Sequence, residues 1–394
     1  MYIINQYSIN RLFSIIFTFF LYLSISAQDK VITTGVPFLM VAADARAAGM
    51  ADIGIASSTD AFSQQWNPAK YAFAEHKQGF SVSYTPYLTD LGKDISLGQV
   101  TYFNKINDRS SWSSSLRYFG IGNVQLRNNL TDQPRIVSPN ELAFDGAYSL
   151  KLSNTFSMAV AGRYIRSNLK VATDDIDASA ANTFAVDVAG FYQFEEVAYS
   201  RFNGIWRAGF NIQNLGPKIS YDNDEFNTNF LPANLKIGTG FDFIFDEDNQ
   251  LAINLELNKL LVPTPQNPDL NGDGVVTPEE YTQNYNDYRK IGWVSGLVKS
   301  FGDAPNGFSE ELKEITYALG SEYVYKDAFA VRAGYFHESP VKGARQYFSL
   351  GAGFKYTTAK IDVSYLFSTS NIRNPLENTI RFSLTFNFGN NNTK

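Results

Sequence analysis

The chain has 394 residues, a formal net charge of −6, no cysteine, and 15% aromatic residues against only 4 methionines. The acidic balance and the lack of any Lys/Arg cluster exclude a nucleic-acid binder, which needs a basic patch to meet phosphates. The missing cysteines exclude thiol nucleophiles, Cys-ligated zinc and iron–sulfur clusters.

At the N-terminus, Arg11 precedes the apolar run from Leu12 to Ile25, and the small residues Ser24, Ser26 and Ala27 follow. Residues 1–27 read as a cleaved signal peptide, because the apolar run is shorter than the roughly 20 residues a membrane anchor requires. No later segment is apolar for the roughly 18 residues of a membrane helix, so the mature chain is secreted, periplasmic or a barrel.

Residues 28–78 are rich in small side chains and contain Gly49, Gly54 and a helix expected to start at Asp60. A segment of that kind ahead of a barrel predicts a hatch or plug folded into the lumen, with a periplasmic extension as the alternative.

From Gly79 onward one design repeats: some ten residues of period-two alternation closed by a turn or a loop, the signature of a transmembrane β-barrel. Phe382, Leu384, Phe386 and Phe388 alternate with Arg381, Ser383, Thr385 and Asn387; Leu251, Ile253, Leu255 and Leu257 alternate with Asn254 and Glu256. The expected strands lie near 79–88, 94–105, 110–120, 141–151, 155–167, 182–194, 202–213, 234–245, 249–258, 314–326, 328–338, 346–356, 360–369 and 378–388. Runs this long exceed the usual strand of a soluble sandwich, about 5–6 residues. The fold class is therefore all-β: a transmembrane antiparallel barrel of about fourteen strands over 79–389, an even number as bacterial barrels have. Short links (153–154, 246–248, 326–327, 357–359) alternate with long ones (121–140, 168–181, 214–233, 259–313, 370–377), which puts both termini on the periplasmic side.

The sharpest motif lies in the longest external loop, 259–313. Residues 269–280, Asp-Leu-Asn-Gly-Asp-Gly-Val-Val-Thr-Pro-Glu-Glu, fit the EF-hand loop pattern. Asp269, Asn271 and Asp273 would offer side-chain oxygens to Ca2+, Val275 its carbonyl, Thr277 a direct or water-bridged contact and Glu280 two carboxylate oxygens, with Gly274 at the sharp turn. Pro263, Pro265 and Pro268 forbid an entering helix, leaving an exiting helix from Glu280. Such a site would be a structural clamp, since external calcium saturates even weak sites.

Catalysis has little to stand on: His76 and His337 lack metal-spaced or nucleophilic partners, so no enzyme is expected. Inward-facing Arg117, Arg163, Asp187, Lys236, Asp242, Glu256, Arg332 and Arg381 mix signs and predict ion-pair networks in the lumen. The external loops carry Phe226, Phe230, Tyr281, Tyr285, Tyr288, Trp293 and Phe308, which suggest either a protein-binding surface or the packing of a loop subdomain.

The run from Gly49-Met-Ala-Asp through Thr59-Asp-Ala-Phe to Trp66-Asn67-Pro68-Ala69 resembles the N-terminal hatch of FadL-type barrels, whose strands also number fourteen. Within that superfamily, Ser300-Phe-Gly-Asp-Ala-Pro-Asn-Gly-Phe-Ser-Glu-Glu-Leu-Lys-Glu314, Gly320-Ser-Glu-Tyr-Val-Tyr and Arg332-Ala-Gly-Tyr-Phe are similar to the PorV pattern of the type IX secretion system. This resemblance implies a non-enzymatic component that binds the C-terminal signal domain of cargo at a giant translocon barrel. It would shuttle cargo to a sortase-like protease that attaches it to lipopolysaccharide. The alternative is a FadL-like transporter of hydrophobic small molecules, because fold alone does not choose between functions.

Overall fold

The computed structural model describes residues 31–87, 94–127, 133–170, 179–221, 228–370, 372, 374–377 and 379–390; the expected signal peptide and Phe226 lie outside them. The alternating runs form fourteen long strands: β1 His76–Pro86, β2 Ser96–Lys105, β3 Ser110–Gly120, β4 Asn140–Lys151, β5 Phe156–Asn168, β6 Ala181–Gln193 and β7 Asn203–Leu215, then β8 Asn234–Ile244, β9 Asn249–Leu260, β10 Ile315–Tyr325, β11 Phe329–His337, β12 Gln346–Tyr356, β13 Ala359–Ser368 and β14 Ile380–Asn390. Each pairs antiparallel with its chain neighbours, and the ring closes where β1 meets β14, with Phe80 opposite Phe386 and Tyr84 opposite Phe382. Closure leaves no open edge, which a sheet in hydrocarbon cannot tolerate because nothing there would bond its exposed amides and carbonyls.

Burial is inverted relative to a soluble protein. Along each strand the apolar file is exposed and the small or polar file is buried: Phe184 is 66% and Leu319 51% exposed, whereas Ser81, Thr101 and Asp145 are at 0%. In water the outer surface would be an apolar patch far beyond what a monomer carries; in a bilayer it is the lipid-facing band. Aromatic rings gather toward both ends of that band. Phe202, Trp206, Phe241, Phe243 and Phe245 cluster at the short-turn end, and Tyr335 with Phe348 and Tyr365 with Phe367 sit toward the long-loop end. Two such belts are how a barrel sets its depth at the two interfaces.

Most boundaries fall within one to three residues of expectation, and two of the shifts have a visible cause. β1 starts at His76, ahead of Gly79, because His76 and Gln78 pair with Asn390 and Phe388 below the alternating region, where polar residues still extend the ladder. The short helix expected from Asp60 spans Ser63–Trp66, since Asp60 stays outside it and accepts hydrogen bonds from the Phe62 amide and the Ser63 hydroxyl. For the wall itself, Leu319→Arg in the middle of β10 is expected to destabilise the barrel by about 2–4 kcal/mol in denaturant titrations of protein folded into lipid vesicles. Ser309→Arg in the external loop leaves the midpoint in place.

Candidate functional site

Residues 34–74 contain no long element. They turn through Pro37–Met40, Ala45–Ala48 (α1), Ser63–Trp66 (α2) and Pro68–Phe73, each of four to six residues. Turns this short leave most of their backbone groups without local partners, yet the segment is almost wholly buried, so the partners must come from elsewhere. They come from inward side chains around the wall. Ala45 N–H donates to Ser383 Oγ at 2.7 Å and Ala51 N–H to Ser349 Oγ at 2.8 Å, while the Gly54 and Ile55 amides share Glu256 Oε2 at 3.0 and 3.1 Å. From other strands, Thr85, Arg117, Ser149, Ser157, Arg207, Asn211 and Gln213 donate to carbonyls of Ala43, Leu39, Pro68, Ala69, Ala56, Trp66 and Gln65. A segment bonded to wall strands on every side lies inside the ring.

Where that backbone comes closest, the wall has only glycine. A Cβ on Gly334 would fall 2.4 Å from the Met50 carbonyl carbon, and one on Gly351 would fall 3.0 Å from the Gly49 Cα. The Asn67-Pro68-Ala69 motif sits within the same arrangement. Asn67 caps the Pro68–Phe73 turn by accepting from Ala69 N–H, and its amide donates to Ile55 O and Gly190 O. Asp44 caps α1 through Ala47 N–H and accepts from Trp66 Nε1 at 2.7 Å, tying the two halves of the segment together.

Charges complete the interlock. Arg46 donates to Glu322 through Nε at 3.0 Å and Nη2 at 2.6 Å, and to Asp60 through Nη1 at 2.8 Å; Glu322 also meets Arg332, which reaches Asp362. Asp52 takes Tyr347 and Arg381; Arg163 joins Asp145 to Asp187; Arg207 pairs Asp242; Lys236 lies 3.4 Å from Glu256. In the sequence Glu322 and Asp60 stand only as parts of motifs, and their role in the charge network is missed there, although Glu322 lies on the same inward file as Thr316 and Gly320. Beneath this network a cavity of about 490 Å³ opens at the short-turn end, lined by Arg46, Asp60, Arg207, Asp242, Glu322 and Lys360 among others.

At the other end, residues 261–314 form a loop subdomain with helices α3 Pro278–Lys290, α4 Trp293–Lys299 and α5 Phe308–Glu311. Three of its acids turn inward: Glu311 and Glu314 receive Lys259, and Glu310 and Glu314 receive Lys342 from the 338–345 loop. Burial alone would raise the Glu314 carboxyl, but hydrogen bonds from Lys259, Lys342 and Thr264 outweigh it and hold the group below the usual carboxylate range. Among the aromatics singled out by sequence, Phe230 is buried against Tyr288, whose hydroxyl bonds Pro263 O, so both belong to the loop's interior. Trp293 is half-buried, whereas Tyr281, Tyr285 and Phe308 are exposed.

In the 269–280 loop, Gly272 and Gly274 adopt left-handed φ of 76° and 83°. Asp269 accepts from the amides of Gly272 and Gly274, and Asp273 from that of Val275. α3 begins at Pro278 rather than Glu280, because Thr277 and Glu280 form a reciprocal capping box. Hydrogen bonds from the Thr277 amide and hydroxyl hold the Glu280 carboxyl below its ordinary range. No group of three or more His, Cys, Asp or Glu converges to hold a metal among the described residues.

A closed fourteen-stranded barrel with an apolar outer band and a segment bonded inside its ring defines an outer-membrane β-barrel protein. Solved structures of similar fold include a TodX deltaS2S3 mutant monoaromatic hydrocarbon channel (TM-score 0.49, 11% identity, 87% of this chain and 98% of that one). A Pseudomonas aeruginosa FadL homologue (0.43, 12%, 89% and 99%) and the Ralstonia pickettii toluene transporter TbuX (0.46, 9%, 89% and 100%) are further examples. No curated protein matches the chain. The family profile of the type IX secretion system protein PorV matches residues 24–267, more than half the sequence, and the chain belongs to the PorV family. The Ser300–Glu314 stretch lies beyond the matched span.

Glu322→Gln leaves two buried guanidinium groups short of a counter-charge, a change worth about 3–5 kcal/mol when one partner of a buried pair is removed. Hydrogen exchange is expected to rise across residues 44–60, with the strand amides staying protected.

Proposed function

We propose that this PorV-family barrel is the outer-membrane acceptor for cargo of the type IX system, without enzymatic activity of its own. On this reading it is exported by a cleaved signal peptide, binds the C-terminal signal domain of cargo at the giant translocon barrel, and shuttles cargo to the sortase-like protease that attaches it to lipopolysaccharide.

Family membership is the observation that carries this reading. The interior is compatible with it. The lumen is crossed by residues 34–74, acting as a plug held by charged and hydroxyl side chains, an arrangement that a FadL-like transporter would share and a cargo acceptor can use as a seal. The gap of about 60 Å³ between Leu39, Trp66, Lys236, Glu256 and Tyr347 suits ordered water. Exchange with partners then falls to the external surface. There Tyr281 and Tyr285 stack at 6.4 Å on the exposed side of α3, and Leu270, Val275 and Val276 are exposed in the loop that precedes it. Exposed tyrosines of this kind are what protein interfaces favour.

The 269–280 loop is assigned a structural Ca2+, held by Asp269, Asn271, Asp273, the Val275 carbonyl, Thr277 and Glu280. Its φ values and the exiting helix suit an EF-hand loop, and binding would exchange the present carboxylate-to-amide bonds for metal contacts, stiffening the base of α3.

Affinity isolation of the tagged protein from detergent-solubilised outer membranes tests the reading. Recovery of a very large barrel, cargo sharing a C-terminal domain or a sortase-like protein is expected, with recovery of cargo falling at least about tenfold in Tyr281→Ala/Tyr285→Ala if the pair forms an interface hot spot. A lone barrel carrying bound hydrophobic small molecules contradicts it. For calcium, proteolysis of the 259–313 loop should accelerate in chelator and in Glu280→Gln; equal rates with and without Ca2+ remove the metal from the account.

A further inference from the structure

We propose that the outer face of α4 and α5 is a membrane-interface anchor, bedded in the lipid of the outer leaflet beside the barrel rim. Val294, Val298, Phe301, Phe308 and Leu312 are 53–76% exposed. In α4 and the turn after it, positions 294, 298 and 301 follow helical spacing and share one stripe. The opposite side of α4 meets the protein with its small residues: Gly296, where a Cβ would lie 3.0 Å from Phe230 and Pro263, and buried Ser300. A surface helix in water does the reverse, and an apolar stripe turned outward is the pattern of a helix lying in a bilayer interface.

Charge selects the occupant. The acids of this region face inward, with Glu310, Glu311 and Glu314 taken by Lys259 and Lys342 and Asp303 turned to the Thr264 amide. The exposed charges left beside the stripe are Lys299 and Lys313. A chain of net charge −6 thus presents an apolar and cationic face, suited to phosphate-bearing lipid headgroups with acyl chains beneath them.

Position agrees. Leu255, Leu257 and Lys259 share one side of β9; the first two are in the exposed apolar band, and the Lys259 ammonium holds Glu311 and Glu314. That pairing draws α5, with Phe308 and Leu312, over the rim on the lipid side. Leu312 precedes β10, whose own outward residues Tyr317 and Leu319 continue the band. The exposed face is therefore continuous with a surface already in lipid. It lies on α4 and α5 and the Tyr281/Tyr285 pair on α3, so the anchor does not depend on cargo binding there.

The absence of cysteine makes the test direct. Single cysteines replace Val298, Phe308, Ser295, Ser309, Tyr281 or Leu255 in the full chain and are labelled with an environment-sensitive fluorophore. The protein is placed in nanodiscs of phosphatidylcholine with or without lipid A, with retained heat-modifiable migration as the check on folding. Labels at 298 and 308 should emit to the blue, be quenched by headgroup-proximal spin-labelled lipid and resist aqueous iodide, approaching the label at 255. The label at 281 should behave as in water, and Lys299→Glu/Lys313→Glu should reduce the lipid quenching at 298 and 308 in lipid A discs. Should 298 or 308 fail to fold, 295 and 309 report on the same region. Iodide access at these sites equal to that at 281 overturns the anchor, as does protection that arises only when a protein partner is added.

Discussion

Inside a bilayer no backbone amide or carbonyl can be left for water, and this one constraint governs the rest of the molecule. It forces the sheet to close, which brings residue 80 against residue 386 across almost the whole chain. Closure creates a lumen lined by the file of side chains that faces away from lipid. That lining must be polar enough to be wetted or matched enough to be filled. Here it is filled by a segment that forms little secondary structure of its own and borrows partners from the wall. The segment and the wall therefore satisfy each other: Glu322, Glu256, Ser349 and Ser383 would line an open channel without residues 34–74, and residues 34–74 would be a buried string of unpaired amides without them.

Glycine and serine acquire their meaning from that exchange. The hydroxyls of Ser349 and Ser383 accept from the Ala51 and Ala45 amides at short range because Gly334 and Gly351 let the Met50 and Gly49 backbone approach the wall. Arg46 supplies what small residues cannot, a rigid fork that spans from the segment to the wall while neutralising Glu322 and Asp60 together. At the external end the same economy of pairing recurs, with Lys259 and Lys342 gathering three glutamates of the 261–314 loop.

All fourteen strands were legible in the sequence, because period-two alternation sustained over some ten residues suits little besides a strand with one face in lipid, and because short and long links alternate. Boundaries slipped where the pattern ends before the ladder does, as at His76. The FadL-type resemblance was read from the runs around Gly49 and Asn67 and the PorV family from Ser300–Glu314, Gly320–Tyr325 and Arg332–Phe336, stretches that lie beyond the span the family profile matches. What could not be read was pairing at a distance. Nothing local says that Ala45 will donate to Ser383, or that Glu310, Glu311 and Glu314 will turn inward to Lys259 and Lys342. Sequence alone leaves Phe230 as either a binding aromatic or part of a packed loop; once α3 folds back it is core, since its ring meets Tyr288 and a Cβ on Gly296 would lie 3.0 Å from it. Alternation reports which face a residue occupies; it is silent on what crosses the lumen to meet it.

Cargo, on this account, is handled at the external loops and not through the barrel. Photo-crosslinking in living cells puts this to the most direct test, with a photoreactive amino acid at Tyr281 on α3 and, separately, at Asp60 beside the lumenal cavity. The account predicts adducts with secreted proteins through their shared C-terminal domain from position 281 and none from position 60. Cargo adducts from position 60, or their absence from 281 while secretion proceeds, would contradict it.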